Sequence, residues 1–225
     1  MTLTDAAGNV KTATNGVYKG LGYGKYTYTV SCPGRNYVYD SFTLGGADQA
    51  DVSGGVLTKT IPLTASSANA WDGSTKTQPS QTTACTRSYG AELAWFAAQV
   101  NGGSYTIKGV LTADIDLAYY NWTPIGGTAA AKAFKGSFDG QNHTVNNLGI
   151  YYSATNTSAP YLGLFGYVNG TSSSYITIQN LKVNGQMFLT STGSVANAYS
   201  GGVVPTPTTS TFPAWSPMWT SPLPV

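Results

Sequence analysis

Asp114 and Asp116 are the side chains in this sequence best suited to chemistry. They stand at i and i+2 in Leu111-Thr112-Ala113-Asp114-Ile115-Asp116-Leu117. On an extended strand that spacing puts both carboxylates on one face, with Cα atoms roughly 6–7 Å apart. The separation overlaps that of the two carboxyl groups of glycoside hydrolases. Asp139 adds a third carboxylate from a later segment, and His143 follows in Asp139-Gly140-Gln141-Asn142-His143 as the partner that an Asp–His general acid–base couple needs. A catalytic set would therefore be Asp114, Asp116, Asp139 and His143, acting on a polysaccharide. Two other uses compete for the same residues. Carboxylates at turns accept backbone N–H bonds, and Ca2+ collects roughly six to eight oxygens. Asp139-Gly140 is itself a turn dipeptide, and no serine or cysteine stands out as a nucleophile for His143, so the expected role of the histidine is a hydrogen bond within that turn.

A second set of candidates is aromatic. Tyr119-Tyr120 and Tyr151-Tyr152 each direct one ring outward when the other points inward, and Trp122 lies close by in sequence. Exposed rings on a rigid β surface stack against the apolar C–H face of sugars; the competing use is to fill the core. Cys32 and Cys85 have no metal-site spacing, and a disulfide between them is compatible with the sequence without being required. With one histidine in the chain a His-based zinc centre is not expected, and no metal or cofactor is expected beyond the Ca2+ alternative at the aspartates.

These residues must be placed by β structure. Gly136-Ser137-Phe138-Asp139-Gly140 running to Asn147-Leu148, and Gly163-Leu164-Phe165-Gly166 running to Asn180-Leu181, form an imperfect repeat, with a Ser-rich insertion at Thr171–Ser174 accounting for the unequal spacing. Repeats of 20–50 residues built from β-branched runs and glycine turns signal a solenoid. Gly201-Gly202-Val203-Val204 looks like the start of a third copy, after which six of the eleven prolines crowd into residues 205–224. Proline cannot donate to a ladder, so pairing is expected to stop there. Ahead of the repeats, Leu93, Phe96, Ala97 and Val100 fall at helical spacing, with Ser88 as N-cap and Asn101-Gly102-Gly103 as the stop. Such a helix would cover the first unpaired strand edge. Residues 1–64 contain about five short strands: Thr2–Thr4, Val17–Lys19, Lys25–Val30, Tyr37–Leu44 and Val56–Leu63. Residues 65–87 form a polar linker.

The first module, with Leu3 to Asn9, Gly24 to Val30 and Pro33-Gly34, resembles the carboxypeptidase-regulatory-like and Cna-B-like modules of bacterial surface proteins. Those modules often carry a Lys–Asn isopeptide bond assisted by a glutamate. The single glutamate here, Glu92, lies outside the module, so no such link is expected. Residues 88–204 resemble the GLUG-motif β-helical regions of secreted bacterial proteins, through Ala91-Glu92-Leu93-Ala94-Trp95-Phe96, Leu111 to Leu117, Trp122-Thr123-Pro124-Ile125-Gly126, Phe134 to Thr144 and Gly163-Leu164-Phe165-Gly166, in that order. The resemblance implies a right-handed parallel β-helix on a cell-surface protein and no single activity, which favours scaffold over catalysis for the aspartates.

Composition agrees with an extracellular setting. Only 9% of residues are charged, against roughly 25% in an ordinary soluble domain; Gly, Thr, Ser, Asn and Tyr take the surface positions. The net charge of +2 is scattered, which excludes a nucleic-acid stripe, and no apolar run approaches the ~20 residues of a membrane span. No secretory leader opens the chain, and residues 205–225 read either as a non-native tail or as a proline-rich linker, so the chain is expected to be a piece of a longer secreted protein. The expected fold is all-β: a small β-sandwich followed by a short right-handed parallel β-helix with an N-terminal capping helix. The expected function is a non-catalytic, adhesin-like cell-surface module contacting polysaccharide, with a β-helical glycoside hydrolase as the alternative.

Overall fold

The computed structural model describes residues 1–45, 52–53, 56–79, 85–87, 89–127, 130–154, 160–170, 176–191, 198–204 and 206–208. These are mostly strands and turns, with one α-helix among the described residues. The chain divides into two units, Met1–Ala65 and Ser66–Val225.

In the first unit, β1 (Thr2–Asp5), β2 (Val10–Lys11), β3 (Gly24–Val30) and β4 (Val38–Leu44) form an antiparallel sheet of order β2-β1-β3-β4. A separate hairpin joins β5 (Val52–Ser53) to β6 (Val56–Leu57). The period-2 alternation of β3 buries Tyr26 and Tyr28 with Leu3 and Phe42, and Tyr26 stacks on Phe42 at 5.5 Å. Asp5 organises the first hairpin. Its Oδ1 accepts the N–H groups of Ala7 and Asn9, Lys11 lies 2.6 Å from its Oδ2, and these contacts, Lys11 foremost, hold its carboxyl well below the usual carboxylate range. The sequence expectations differ at three places. Val17 makes a single bridge to Thr14 instead of leading a strand, pairing in the Val56–Leu63 run is confined to Val56–Leu57, and the exposed β2 carries no apolar alternation that would announce it. Cys32 is a free thiol.

The second unit is built from β7 (Cys85–Arg87), α1 (Gly90–Asn101), β8 (Gly109–Leu111), β9 (Ile115–Asp116), β10 (Ser137–Asp139), β11 (Thr144–Ala154), β12 (Tyr161–Leu162), β13 (Thr177–Gln179), β14 (Lys182–Ser191), β15 (Ala198–Ser200) and β16 (Thr206–Thr208). Its pairings form three parallel rows. The first has the order β13-β10-β8-β7 and the second β14-β11-β9. In the third, Ile125 pairs with Phe165, Leu164 and Phe165 donate to Gly202 and Val203, and β12 pairs with β15. The chain visits the rows in the same order three times: β8, β9, Ile125; then β10, β11, β12; then β13, β14, β15. Close backbone approach in the third row requires glycine at 166, where a Cβ would collide with the carbonyl oxygen of Gly127.

A cluster of phenylalanines is buried in this unit. Phe96, Phe134, Phe138 and Phe165 are fully buried, with ring centroids 5.3–5.9 Å apart. Phe96 belongs to α1, whose buried face of Leu93, Ala94, Phe96, Ala97 and Val100 contains all four positions expected from the periodicity. The N-cap is Tyr89, without a side-chain cap bond, rather than Ser88, which lies outside the described residues. At the other end Asn101 fastens the helix to the third row, donating from Nδ2 to Pro124 O (3.0 Å) and accepting at Oδ1 from Gly126 N (2.9 Å). Residues 66–79 are no free linker. Trp71 is buried in the second unit, edge-on to Trp122 at 5.6 Å, and its backbone N–H donates to the carbonyl of Asp116.

Two further expectations need correction. The repeat is present, but its copies do not stack on one another. Phe138 pairs with Gly109 and Ile178, not with a position near Phe165, and Val145 pairs with Ile115 and Val183. Gly136–Phe138 and Gly163–Phe165 therefore belong to different rows. Nor does pairing stop at Pro205: β16 pairs antiparallel with β15, with Pro207 opposite Tyr199. The proline is accommodated because β16 is an edge strand, where a missing N–H costs no ladder bond. Residues 171–175 and 209–225 lie outside the described residues.

Because Phe96 joins the helix to the rings of Phe134 and Phe138, Phe96→Ala should cost about 3–5 kcal/mol, read as a lowered urea midpoint of the full chain. An unchanged midpoint would remove the helix from the fold's essential core.

Candidate functional site

The candidate residues are placed by the turns that leave the second row and the passage into it. At Leu117–Tyr120 the chain turns out of β9 through two residues at positive φ, Ala118 (48°) and Tyr119 (60°). Asp116 closes this turn: its Oδ1 accepts Ala118 N at 2.8 Å and Asn147 Nδ2 at 3.0 Å, and its Oδ2 accepts Ser67 N at 3.3 Å. On the next pass Asn146 pairs with Asp116, and Asn147 follows at φ 55°; the Asn147 N–H donates to Asn184 Oδ1 (3.0 Å), and Asn184 Nδ2 donates to Asn146 Oδ1 (2.7 Å). Asp116, Asn146, Asn147 and Asn184 thus form a polar stack across three passes. The three asparagines were missed in the sequence; the signal for two of them was an asparagine after an inward β-branched residue on successive passes, Val145-Asn146 and Val183-Asn184.

The other candidates lie near or apart from this stack. Asp114 Oδ1 accepts Thr144 N at 2.9 Å and lies 3.2 Å from His143 Nδ1, so the histidine's carboxylate partner is Asp114 and not Asp139. His143 keeps its expected turn bond through its backbone, which donates to Gly140 O. Asp139 sits on the first row, where Gln141 N, Asn180 Nδ2 and Gln179 Nε2 donate to it. These bonds, Gln141's first, lower its pKa. The four residues of the catalytic hypothesis are therefore divided: Asp114 and Asp116 line a common cleft, and Asp139 and His143 do not. That cleft has a volume of about 440 Å³, with Ser67–Asn69 as one wall and Asp114, Asp116, Asn146, Asn147 and Asn184 as the other. Among the described residues no three His, Cys, Asp or Glu side chains come together in a group able to hold a metal ion.

The aromatic candidates also separate. Trp122 is 3% exposed and donates from Nε1 to Leu164 O at 3.0 Å, so it is a core residue with no face for a sugar. Tyr120 and Tyr152 pack against the same core, Tyr120 edge-on to Trp71. Tyr119 is half-buried, and burial first and the charge of Asp116 second push its phenol pKa up. Tyr151 is half-buried, donates to Tyr119 O (2.9 Å), accepts from Gln186 Nε2 (2.7 Å), and stacks on Phe188 with centroids 5.8 Å apart and planes at 23°. Phe188 was not among the sequence candidates, because only the parallel pairing of β11 with β14 puts it beside Tyr151.

Neither a protein-family model nor a curated protein nor a solved structure matches this chain. No helix among the described residues is long and apolar enough to cross a membrane.

Asp116→Asn keeps one acceptor but turns N–H donors either toward Ser67 N or toward Ala118 N and Asn147 Nδ2, so it should cost about 1–3 kcal/mol, measured by chemical denaturation. Acid should act through Asp72, which anchors the segment bearing Trp71. Burial raises its pKa, but bonds from Thr75 Oγ1 and from Thr75 and Ser74 N–H outweigh that and bring it to about 2. An unfolded aspartate titrates near ~3.9, so the stabilisation is complete above about pH 4 and is lost as pH falls through 2. Thermal melting at pH 5, 3 and 2 should show that loss, and Asp72→Asn should lessen it.

Proposed function

We propose that the chain is a non-catalytic module of a bacterial extracellular or cell-surface protein, adhesin-like in role, that presents a rigid sheet face to polysaccharide. Its second unit is read as a short parallel β-helix: three rows visited in fixed order, polar stacks at the turns and a helix on the phenylalanine core are what that architecture requires. The first unit is read as a sandwich-like surface module, on the strength of its antiparallel sheet and its Leu3–Asn9 hairpin. A surface with few charges and many hydroxyl and amide groups supports the extracellular setting.

The observation that carries the non-catalytic reading is the bonding of Asp116. Three donors occupy its carboxylate, two of them backbone N–H groups. A carboxylate so held has little freedom to swing toward a substrate, and protonating it would break bonds that shape the turn. One observation favours a second reading as a glycoside hydrolase: Asp114 and Asp116 line the same open cleft. A panel of chromogenic glycosides and reducing-end release from polysaccharides decides between the two. No hydrolysis is expected; turnover abolished by Asp114→Asn or Asp116→Asn would establish the enzyme.

A further inference from the structure

Asparagine followed by glycine is open to a reaction that needs no enzyme. The glycine nitrogen, unshielded by a side chain, attacks the carbonyl carbon of the asparagine side chain. Three freedoms are required: an N–H that can lose its proton, a side chain that can swing over its own backbone, and a main chain that can turn between the two. Four such pairs occur here, at residues 15–16, 101–102, 169–170 and 184–185. The fold denies those freedoms to two of them. Asn101 holds both amide atoms, donating to Pro124 O and accepting from Gly126 N, and the Gly102 N–H donates to the carbonyls of Ala98 and Gln99 at the helix end. Asn184 also uses both amide atoms, accepting from Asn147 N and donating to Asn146 Oδ1. Gly185 lies inside β14 opposite Leu148, whose carbonyl oxygen crowds it. Asn169 and Gly170 are exposed, but residues 171–175 beyond them lie outside the described residues.

Asn15-Gly16 differs in each respect. Both residues are exposed at the tip of a two-residue turn, at φ 51° and 75°, closed by hydrogen bonds of 2.9 and 3.0 Å between Thr14 and Val17. That bridge belongs to no strand, and Val17 is 50% exposed, so the turn can open without disturbing a ladder or the core. Among the described residues neither the Asn15 amide nor the Gly16 N–H has a partner. The space beside Gly16 is empty, since a Cβ there would meet nothing within 4 Å.

We propose that Asn15 is a self-modifying site that converts spontaneously to aspartate and isoaspartate, with water as the co-reactant. The Gly16 nitrogen loses its proton to solvent and bonds to Asn15 Cγ; the Cγ–Nδ2 bond breaks and ammonia leaves, giving a five-membered succinimide. Water then opens one of the two ring carbonyls, and the carboxylate and main-chain link fall on either side. Both products add one negative charge to a chain whose formal net charge is +2. Isoaspartate also routes the main chain through Cγ, one bond longer than before, so this product loses the Thr14–Val17 bridge while the sheet of β1 to β4 persists.

The test incubates the full chain in mildly alkaline buffer, folded and in urea, and follows each asparagine by peptide mapping with fragment-ion localisation. The tryptic peptide Thr12–Lys19 contains no other asparagine or glutamine, so its amide-to-acid mass gain reports Asn15 alone. In the folded chain Asn15 should convert at least about tenfold faster than Asn101 or Asn184, whereas in urea the three should convert at similar rates. Labelling by an isoaspartyl methyltransferase should appear on the same peptide, and Asn15→Gln should abolish both signals there. The site is overturned if Asn15 stays unconverted in the folded chain or if Asn101 or Asn184 keeps pace with it. A lag of Asn101 and Asn184 that persists in urea would equally overturn it, because neighbouring sequence and not the fold would then set the difference.

Discussion

A chain that leaves a parallel ladder after two or three residues must turn with backbone N–H groups that no neighbouring strand can reach. Unpaired and shielded from water, each would cost about 1–3 kcal/mol. The second unit meets this constraint with short polar side chains at the turns. Asp116 takes Ala118 N, Asp139 takes Gln141 N, Asp114 takes Thr144 N and Asn184 takes Asn147 N. Three of these acceptors are carboxylates, which bind N–H more strongly than neutral oxygens. The low charge of the chain makes the point sharper: of the few acidic residues present, several are spent on turns.

Turn chemistry and core packing depend on each other. Left-handed residues at Ala118, Tyr119, Gln141, Asn142 and Asn180 turn the chain, and Asn147 breaks the alternation within β11; Ala118, Asn147 and Asn180 stand next to the buried Leu117, Leu148 and Leu181. The inward residues then close on the ring cluster of Phe96, Phe134, Phe138 and Phe165. If a turn relaxed, it would shift the register of the following strand, and a shift of one residue exchanges core and solvent faces. Asn101 and Trp71 add fastenings of the same kind, each tying a non-strand segment to a backbone carbonyl or N–H of the rows.

What the sequence made legible follows from the range of the interactions. The buried face of α1 could be read from Leu93, Phe96, Ala97 and Val100, because helical periodicity is local. The repeat could be recognised, but its register could not: stacking requires only that both residues point inward, so Phe138 lies over Gly109 and under Ile178, while the matching letters Gly-x-Phe recur in another row. The pairing of Asp114 with His143 joins successive passes, and nothing in the spacing of either residue announces it. Trp71 was hidden by its polar setting, since a segment of Ser, Thr, Asn and Gln gives no sign that a single indole will dock. At the aspartates, side-chain type suggested chemistry, and only the donors around them distinguish a turn acceptor from a base.

The same bonding bears on what the two aspartates can do. A carboxylate already holding two or three N–H groups has spent most of its acceptor capacity, yet its remaining lone pairs stay fixed in direction. Fixed acceptors suit recognition, because they lose little conformational entropy on binding, and they suit proton transfer poorly, because protonation must first break the bonds that fix them. Asp116 carries the fuller set of bonds, and Asp114, 62% exposed at its side chain, carries the lighter one. Where the two line one cleft, Asp116 is held by its turn and Asp114 is the more exposed group. The same row carries a parallel case: Tyr151 spends its hydroxyl on Tyr119 and Gln186 and its ring on Phe188. In both places the polar atoms are spent on holding the geometry.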